Sequence, residues 1–172
     1  MKRNVLKPDE FNPYYGQYID LVPESLSLLE ALEEGKKRLI KFIREVPEDR
    51  LIYRYATGKW TIKEKIQHLL DTERVFVYRA LRFSRKDQMA LPGFEQDEYV
   101  VNSRANEREI EDLLSEYERL RDSTLAFFKS LSDEELKRTG VASGSPMSAR
   151  AAGFICAGHE IHHCNLISAR YL

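Results

Sequence analysis

Four segments of helical period, separated by proline- and glycine-bearing breaks and accompanied by no convincing strand alternation, predict an all-α fold. Their length and amphipathic character make that fold a four-helix bundle of up-down antiparallel long helices, with a long connection between the second and third. A chain of 172 residues, 42% hydrophobic and 32% charged, reads as one domain over 1–172 with enough sequence for a sizeable core.

Residues 1–23 mix Pro8, Pro13 and Pro23 with Tyr14, Tyr15 and Tyr18, which predicts an extended N-terminal arm whose rings pack on the body. The first long helix occupies Glu24 to Glu45, where Leu28, Leu32, Leu39, Phe42 and Ile43 approximate a stripe, Gly35 is a weak point and Pro47 a stop. Glu48 to Lys59 is a turn and connector. Thr61, with Glu64 completing a capping box, opens the second helix, whose stripe of Ile62, Ile66, Leu69, Leu70, Phe76, Val77 and Ala80 carries it to Ser84. His68 falls outside that stripe, beside Glu64, Asp71, Thr72 and Val75, so periodicity alone puts it at the rim.

Residues 85–105 form the long connection, in which Leu91-Pro92-Gly93-Phe94-Glu95-Gln96-Asp97 is placed to shape a site mouth. Ile110, Leu113, Leu114, Tyr117, Leu120, Leu125 and Phe128 define the third helix, from Asn106 to Ser130. Ser132-Asp133-Glu134-Glu135 is another capping box and opens a short helix. Gly140 to Pro146 is a small-residue loop, after which Ser148 caps the last long helix.

That last helix holds three of the four histidines, His159, His162 and His163. With His159 at zero and about 100° per residue, His163 falls near 40° and His162 near minus 60°. His159 and His163 therefore point into the apolar stripe of Ala152, Ile155, Cys156, Leu166 and Ile167, while His162 sits on its shoulder. Two imidazoles buried there need polar partners: one divalent ion serves both, and backbone carbonyls or water are the plainer alternative. Cys156, three residues before His159, is either a rival thiolate ligand or a small core residue. Phe154, Ala157, Ile161 and Cys164 make a second apolar side, which means deep packing or a subunit contact and motivates the expectation of a homodimer.

A formal net charge of −1 gives no global pull toward nucleic acid. The cluster Arg74, Arg79, Arg82, Arg85 and Lys86, interrupted by Phe76, Tyr78 and Phe83, reads as a helix edge able to attract an anionic substrate and not as a basic recognition helix. No apolar run approaches the roughly 20 residues of a membrane span, and Met1-Lys2-Arg3-Asn4 leads into no signal-peptide core. Cys156 and Cys164 lie about 12 Å apart along one helix, too far for a disulfide. A cytoplasmic location is the expectation that follows.

Gly58-Lys59-Trp60-Thr61-Ile62 leading to His68-Leu69-Leu70-Asp71, together with Ala157-Gly158-His159-Glu160-Ile161-His162-His163, resembles the DinB-like superfamily, including its YfiT-like members, over nearly the whole chain. The resemblance implies a commonly dimeric four-helix bundle with a divalent metal held by one histidine of the second helix and two of the last. Those are His68, His159 and His163, which overrules the rim reading of His68 and leaves His162 beside the ligands. Three imidazoles suit zinc or nickel first and iron or copper next, and leave a position open for water or substrate. Asp71 and Glu64 are candidates to orient His68 through its other ring nitrogen, or else belong to a solvated charged face. The implied activity is that of a metal-dependent hydrolase or a transferase of low-molecular-weight thiols acting on a small molecule. A non-enzymatic metal-binding module for stress response or dimerisation would use the same ligands without a substrate. Asp97, Glu95 and His162 are the candidate catalytic side chains, and Tyr53, Tyr55 and Trp60 candidate cavity walls.

Overall fold

Glu10 fixes where the chain begins its path. The computed structural model describes residues 1–172, and the arm in it is not extended: single turns of 3-10 helix at Arg3–Val5, Pro8–Glu10 and Pro13–Tyr15 lead into a short helix, α1 (Gly16–Ile19). Proline opens the second and third of these turns, where its fixed φ suits the bend and its missing N–H costs nothing. Arg150 grips the buried Glu10 carboxylate, and Ser148 Oγ donates to it at 2.7 Å, so the arm is pinned to the body by a buried ion pair.

Ser27 and Glu30 form a capping box that starts α2 (Leu28–Arg44) later than its apolar pattern suggested. A single turn, α3 (Glu48–Leu51), precedes α4 (Ile62–Ser84), which opens at Thr61 with the expected box: Thr61 N donates to Glu64 at 2.7 Å and Glu64 N to Thr61 Oγ1 at 3.1 Å. The connection contains a helix of its own, α5 (Gln96–Asn102), before α6 (Ile110–Lys129) and the capped short helix α7 (Asp133–Lys137). Where a plain loop was expected at Gly140 to Pro146, there is a hairpin of β1 (Thr139–Ala142) and β2 (Ser145–Ser148), with Gly140 opposite Met147. Ser143 and Gly144, at φ 52° and 74°, make the tight turn that matches strand twist. Strands this short, bearing Gly140 and Pro146, show no alternation to read. Leu91 N donates to Val141 O at 2.9 Å and Ser143 N to Leu91 O at 3.0 Å, tying the long connection to the hairpin. Ser148 then caps α8 (Ala149–Arg170).

Around the bundle the order is α2, α6, α4, α8. Lys36 meets Asp122 and Arg44 meets Glu111, so α2 and α6 are antiparallel. The Tyr171 hydroxyl donates to the Trp60 carbonyl while His68 meets His159 and His163, so α4 and α8 are antiparallel too. The other two contacts are parallel: Gly153 lies at Leu28 and Glu160 at Arg38 across α2 and α8, and Gln67 meets Arg108 and Arg74 meets Glu116 across α4 and α6. The long connection makes this possible by returning the chain along α4 before α6 begins.

Helix α8 is buried without a break from Ala149 to Glu160. Its second apolar side is covered within the chain, with Phe154 and Ala157 in the core formed against α1, α2, α4 and α7. Deep packing therefore accounts for the two-sided character that motivated a dimer contact. No helix is long and apolar enough to cross a membrane.

Candidate metal centre

The antiparallel pairing of α4 and α8 turns His68 inward. It is 3% exposed, because the strip that periodicity placed at the rim faces α8 and because the Trp60 ring covers it at 4.7 Å between centroids. His68 Nε2 stands 3.1 Å from His159 Nε2, which stands 2.9 Å from His163 Nε2. One nitrogen from each ring lies within 4.8 Å of the others, and no carboxylate or thiol joins them.

Hydrogen bonding alone serves this trio poorly. A neutral imidazole has one N–H and one lone pair, so His159 Nε2 can act as donor or acceptor but not satisfy two further Nε2 atoms aimed at it. His163 Nδ1 is buried with no partner. A divalent ion at the shared focus would take all three lone pairs, and the donor set fits one. Burial, helped by the Lys65 charge, lowers the His68 pKa to about 4. Burial and the neighbouring imidazoles hold His159 and His163 well below the ordinary histidine value. Neutral imidazole is the ligating form.

The side chain at the other nitrogen of His68 is Thr72, with Oγ1 3.4 Å from Nδ1. Neither Asp71 nor Glu64 reaches it. Glu64 pairs with Arg54 at 2.7 Å through both oxygens and accepts from Asn106 at 2.9 Å, while Asp71 accepts from Gln67 at 3.0 Å and faces Arg74. Both are carboxylates within about one helical turn of His68, but each is engaged by a cation and an amide instead. Cys156 is buried outside the trio, its thiol pKa pushed up by burial. Half-buried His162 also stands outside, its ring 5.2 Å from that of Tyr18. Gly158 explains how Tyr18 arrives there: a Cβ at that position would lie 1.9 Å from the Tyr18 carbonyl oxygen, so only glycine lets α1 lie against α8. Tyr18 is then edge-on to His159 at 5.1 Å.

A cavity of about 310 Å³ opens onto His68 and His159. Tyr14, Tyr15 and Tyr18 of the arm form one wall, Thr72, Phe76 and Arg79 of α4 another, and Gly93 to Gln96 with Ser143 the roof. The connection thus shapes the mouth. Glu95 is the acidic side chain of the lining, whereas Asp97 lies outside it, exposed in the first turn of α5. Tyr53 and Tyr55 pack on Tyr171 instead of the cavity.

A sequence profile of the DinB superfamily matches residues 31–167. The chain belongs to the DinB superfamily. It is 22% identical over 150 residues, 83% of this chain and 86% of the relative, to an Oceanobacillus iheyensis protein carrying the name "Putative metal-dependent hydrolase". Its fold is similar to that of YfiT from Bacillus subtilis, with a TM-score of 0.76 at 18% identity over 93% of this chain and 91% of that one. YfiT is described as "a probable metal-dependent hydrolase with an unusual four-helix bundle topology".

In this DinB-superfamily bundle, the residue after His159 builds a second buried cluster. Glu160 accepts from Tyr117 Oη at 2.5 Å, Arg121 Nη1 at 2.8 Å and Arg38 Nη2 at 3.0 Å. Arg121 also donates to Glu73, through Nε at 2.9 Å and Nη2 at 2.8 Å, and to the Leu32 carbonyl at 3.0 Å. Gly35, a weak point by propensity, seats this carboxylate: a Cβ there would fall 2.7 Å from both Glu160 oxygens.

Proposed function

We propose that this protein is a metal-dependent enzyme that activates water or a low-molecular-weight thiol, as a hydrolase or a thiol transferase, with His68, His159 and His163 holding a divalent ion. What supports the reading is the convergence of three Nε2 atoms, with no fourth protein ligand, beside a cavity that His68 and His159 line. Structural zinc sites are closed by protein, whereas catalytic ones keep a position for water or substrate. A divalent ion bound there lowers the pKa of a coordinated water or thiol and supplies a nucleophile at neutral pH. Zinc or nickel suits an all-imidazole set first, then iron or copper. The names of the Oceanobacillus and Bacillus proteins favour the hydrolytic arm; the thiol arm rests on the superfamily resemblance.

The chain's own side chains do the remaining work. Burial keeps the three imidazoles neutral, while Thr72 and Trp60 fix the His68 ring. The Tyr18 ring shields His159, and the aromatic walls keep water from the apolar part of a bound molecule. Glu95, at the cavity rim, is the carboxylate at hand to accept a proton. The cavity is also what favours an enzyme over a metal-binding module without a substrate.

Metal analysis of single variants tests the ligand set. His68→Ala, His159→Ala and His163→Ala lose metal by orders of magnitude in affinity, whereas His162→Ala stays near stoichiometric. Near-stoichiometric metal in His163→Ala with none in His162→Ala reverses the assignment. Turnover of hydrolysable esters, and of thiols with an electrophile, with and without metal then separates the two chemistries; metal bound without any turnover returns the protein to the non-catalytic module.

A further inference from the structure

Three arginines are buried in this chain, Arg79, Arg121 and Arg150. Arg121 has Glu73 and Glu160, and Arg150 has Glu10. Arg79 is 2% exposed and has no carboxylate. Its Nη2 donates to the Pro92 carbonyl at 3.1 Å and to Ser143 Oγ at 2.9 Å, and its guanidinium lies over the Phe76 ring at 5.0 Å. Guanidinium has five N–H donors. Two are engaged by Pro92 and Ser143, and the neighbouring Tyr15 hydroxyl takes at most one more, so at least two remain without an acceptor in the protein.

Arg79 lines the cavity that reaches His68 and His159, and a second hollow between α4 and the long connection. His68, Thr72, Phe76 and Arg79 follow one another along a single face of α4 and all line that space. His68 and Arg79 are separated by about 16 Å of helix rise, and helix side chains lean toward the N-terminus, which brings the guanidinium back toward the histidines. An uncompensated buried cation is costly, and the usual remedy is a paired anion with bidentate geometry. The Ser143 backbone is held at φ 52°, a conformation unusual for a residue with a side chain, in the turn from which its hydroxyl meets Arg79. The guanidinium is thereby fixed from the connection and the hairpin at once, on the lining of the cavity.

We propose that Arg79 is the anchor for an anionic group, a carboxylate in the first instance, on an elongated small substrate whose other end reaches the three histidines. The assignment rests on the enzymatic reading for its meaning, because it names the class of molecule that the centre would act on. Glu95, the acidic side chain of the same lining, makes no ion pair with Arg79 and stays at the exposed rim. The apolar surface of Phe76, Phe94, Tyr14 and Tyr15 suits the middle of such a substrate.

The test uses metal-free protein, so that no ion can take the carboxylate and a failure of the metal centre cannot imitate a failure of the anchor. Calorimetric titration compares 3-phenylpropionate with its neutral isostere 3-phenylpropionamide. The carboxylate binds at least about tenfold more tightly than the amide, as charge-assisted hydrogen bonds require. Arg79→Met abolishes that preference without weakening the amide, and Arg79→Lys restores part of it; the melting temperature of Arg79→Met stays at or above the parent's. Equal affinity of the two probes, no binding of the carboxylate at 10 mM, or an unchanged preference in Arg79→Met overturns the proposal. Loss of metal by the parent protein would instead sink the enzymatic reading and leave these titrations standing.

Discussion

His159 and Glu160 are consecutive residues of α8, both buried, and they belong to clusters that meet burial in opposite ways. Glu160 sits among Tyr117, Arg121 and Arg38, and Arg121 is tied to Glu73, so nearly every donor finds an acceptor and the charges of α2, α4, α6 and α8 are locked together. His159 sits between His68 and His163, where three ring nitrogens face one point and His163 Nδ1 has nothing. The first cluster is complete as protein. The second is complete only with something added, and the cavity beside it leads to the outside.

Breaking the complete cluster has the largest expected effect. Arg121→Ala strands the buried Glu73 carboxylate and leaves Glu160 with only Arg38 and Tyr117, at a cost of about 3–5 kcal/mol, a fall of roughly 10 °C in melting temperature for a domain of this size. Calorimetry reads it directly; a variant melting within about 2 °C of the parent would put both clusters on the same footing.

The histidine cluster answers differently. In metal-free protein, His163→Ala removes an unpaired nitrogen along with some packing, for a cost of about 1–2 kcal/mol. Adding zinc at a hundredfold excess over its dissociation constant raises the parent's stability by about 2.7 kcal/mol and leaves the variant where it was. Thermal scans with and without zinc check both halves, and an equal zinc response in the variant would remove His163 from the centre.

The smallest effect comes from the Glu10–Arg150 pair, which is complete like the Glu160 cluster but lies closer to solvent. Burial alone would raise the Glu10 pKa; the bonds from Arg150, Ser148 and the Lys7 backbone outweigh it and leave the carboxyl below its ordinary value of 4.5. A depressed folded pKa means that the unfolded chain takes up its proton first as the solution is acidified. The stabilisation is therefore fully present above pH 4.5 and is lost as pH falls through the folded value. Glu10→Gln keeps a side-chain oxygen for Arg150 and loses the charge, so it melts below the parent at neutral pH by only about 1 kcal/mol, and the gap narrows on acidification. A gap independent of pH would show that the carboxylate charge plays no part in holding the arm.

The same contrast explains what could be read from the chain. Thr61, Ser132 and Ser148 announced helix starts because a cap is a local bond, and His159 and His163 announced a shared face because they lie one turn apart. The hairpin was too short to carry a period. His68 looked peripheral, and Glu73, Arg121 and Glu160 drew no structural reading, because an angular pattern marks apolar stripes and not buried charge; what buries these residues is a partner on another helix. Arg79 was one basic residue of five until Pro92 and Ser143 closed over it. Thr72, a hydroxyl in mid-helix, gave no signal at all.

Gly158 carries a consequence for the order of assembly. Tyr18 leans on the backbone of α8 from an arm near one end of the chain, while α8 lies near the other. Contacts so distant in sequence close the longest loop and form late in folding. During synthesis the cavity therefore has no Tyr18 wall until α8 has emerged and docked, and a chain stopped before it has neither wall nor His159. Once formed, the arm rests on few local bonds and is the unit expected to open first in hydrogen exchange, uncovering the histidines while the four long helices remain closed.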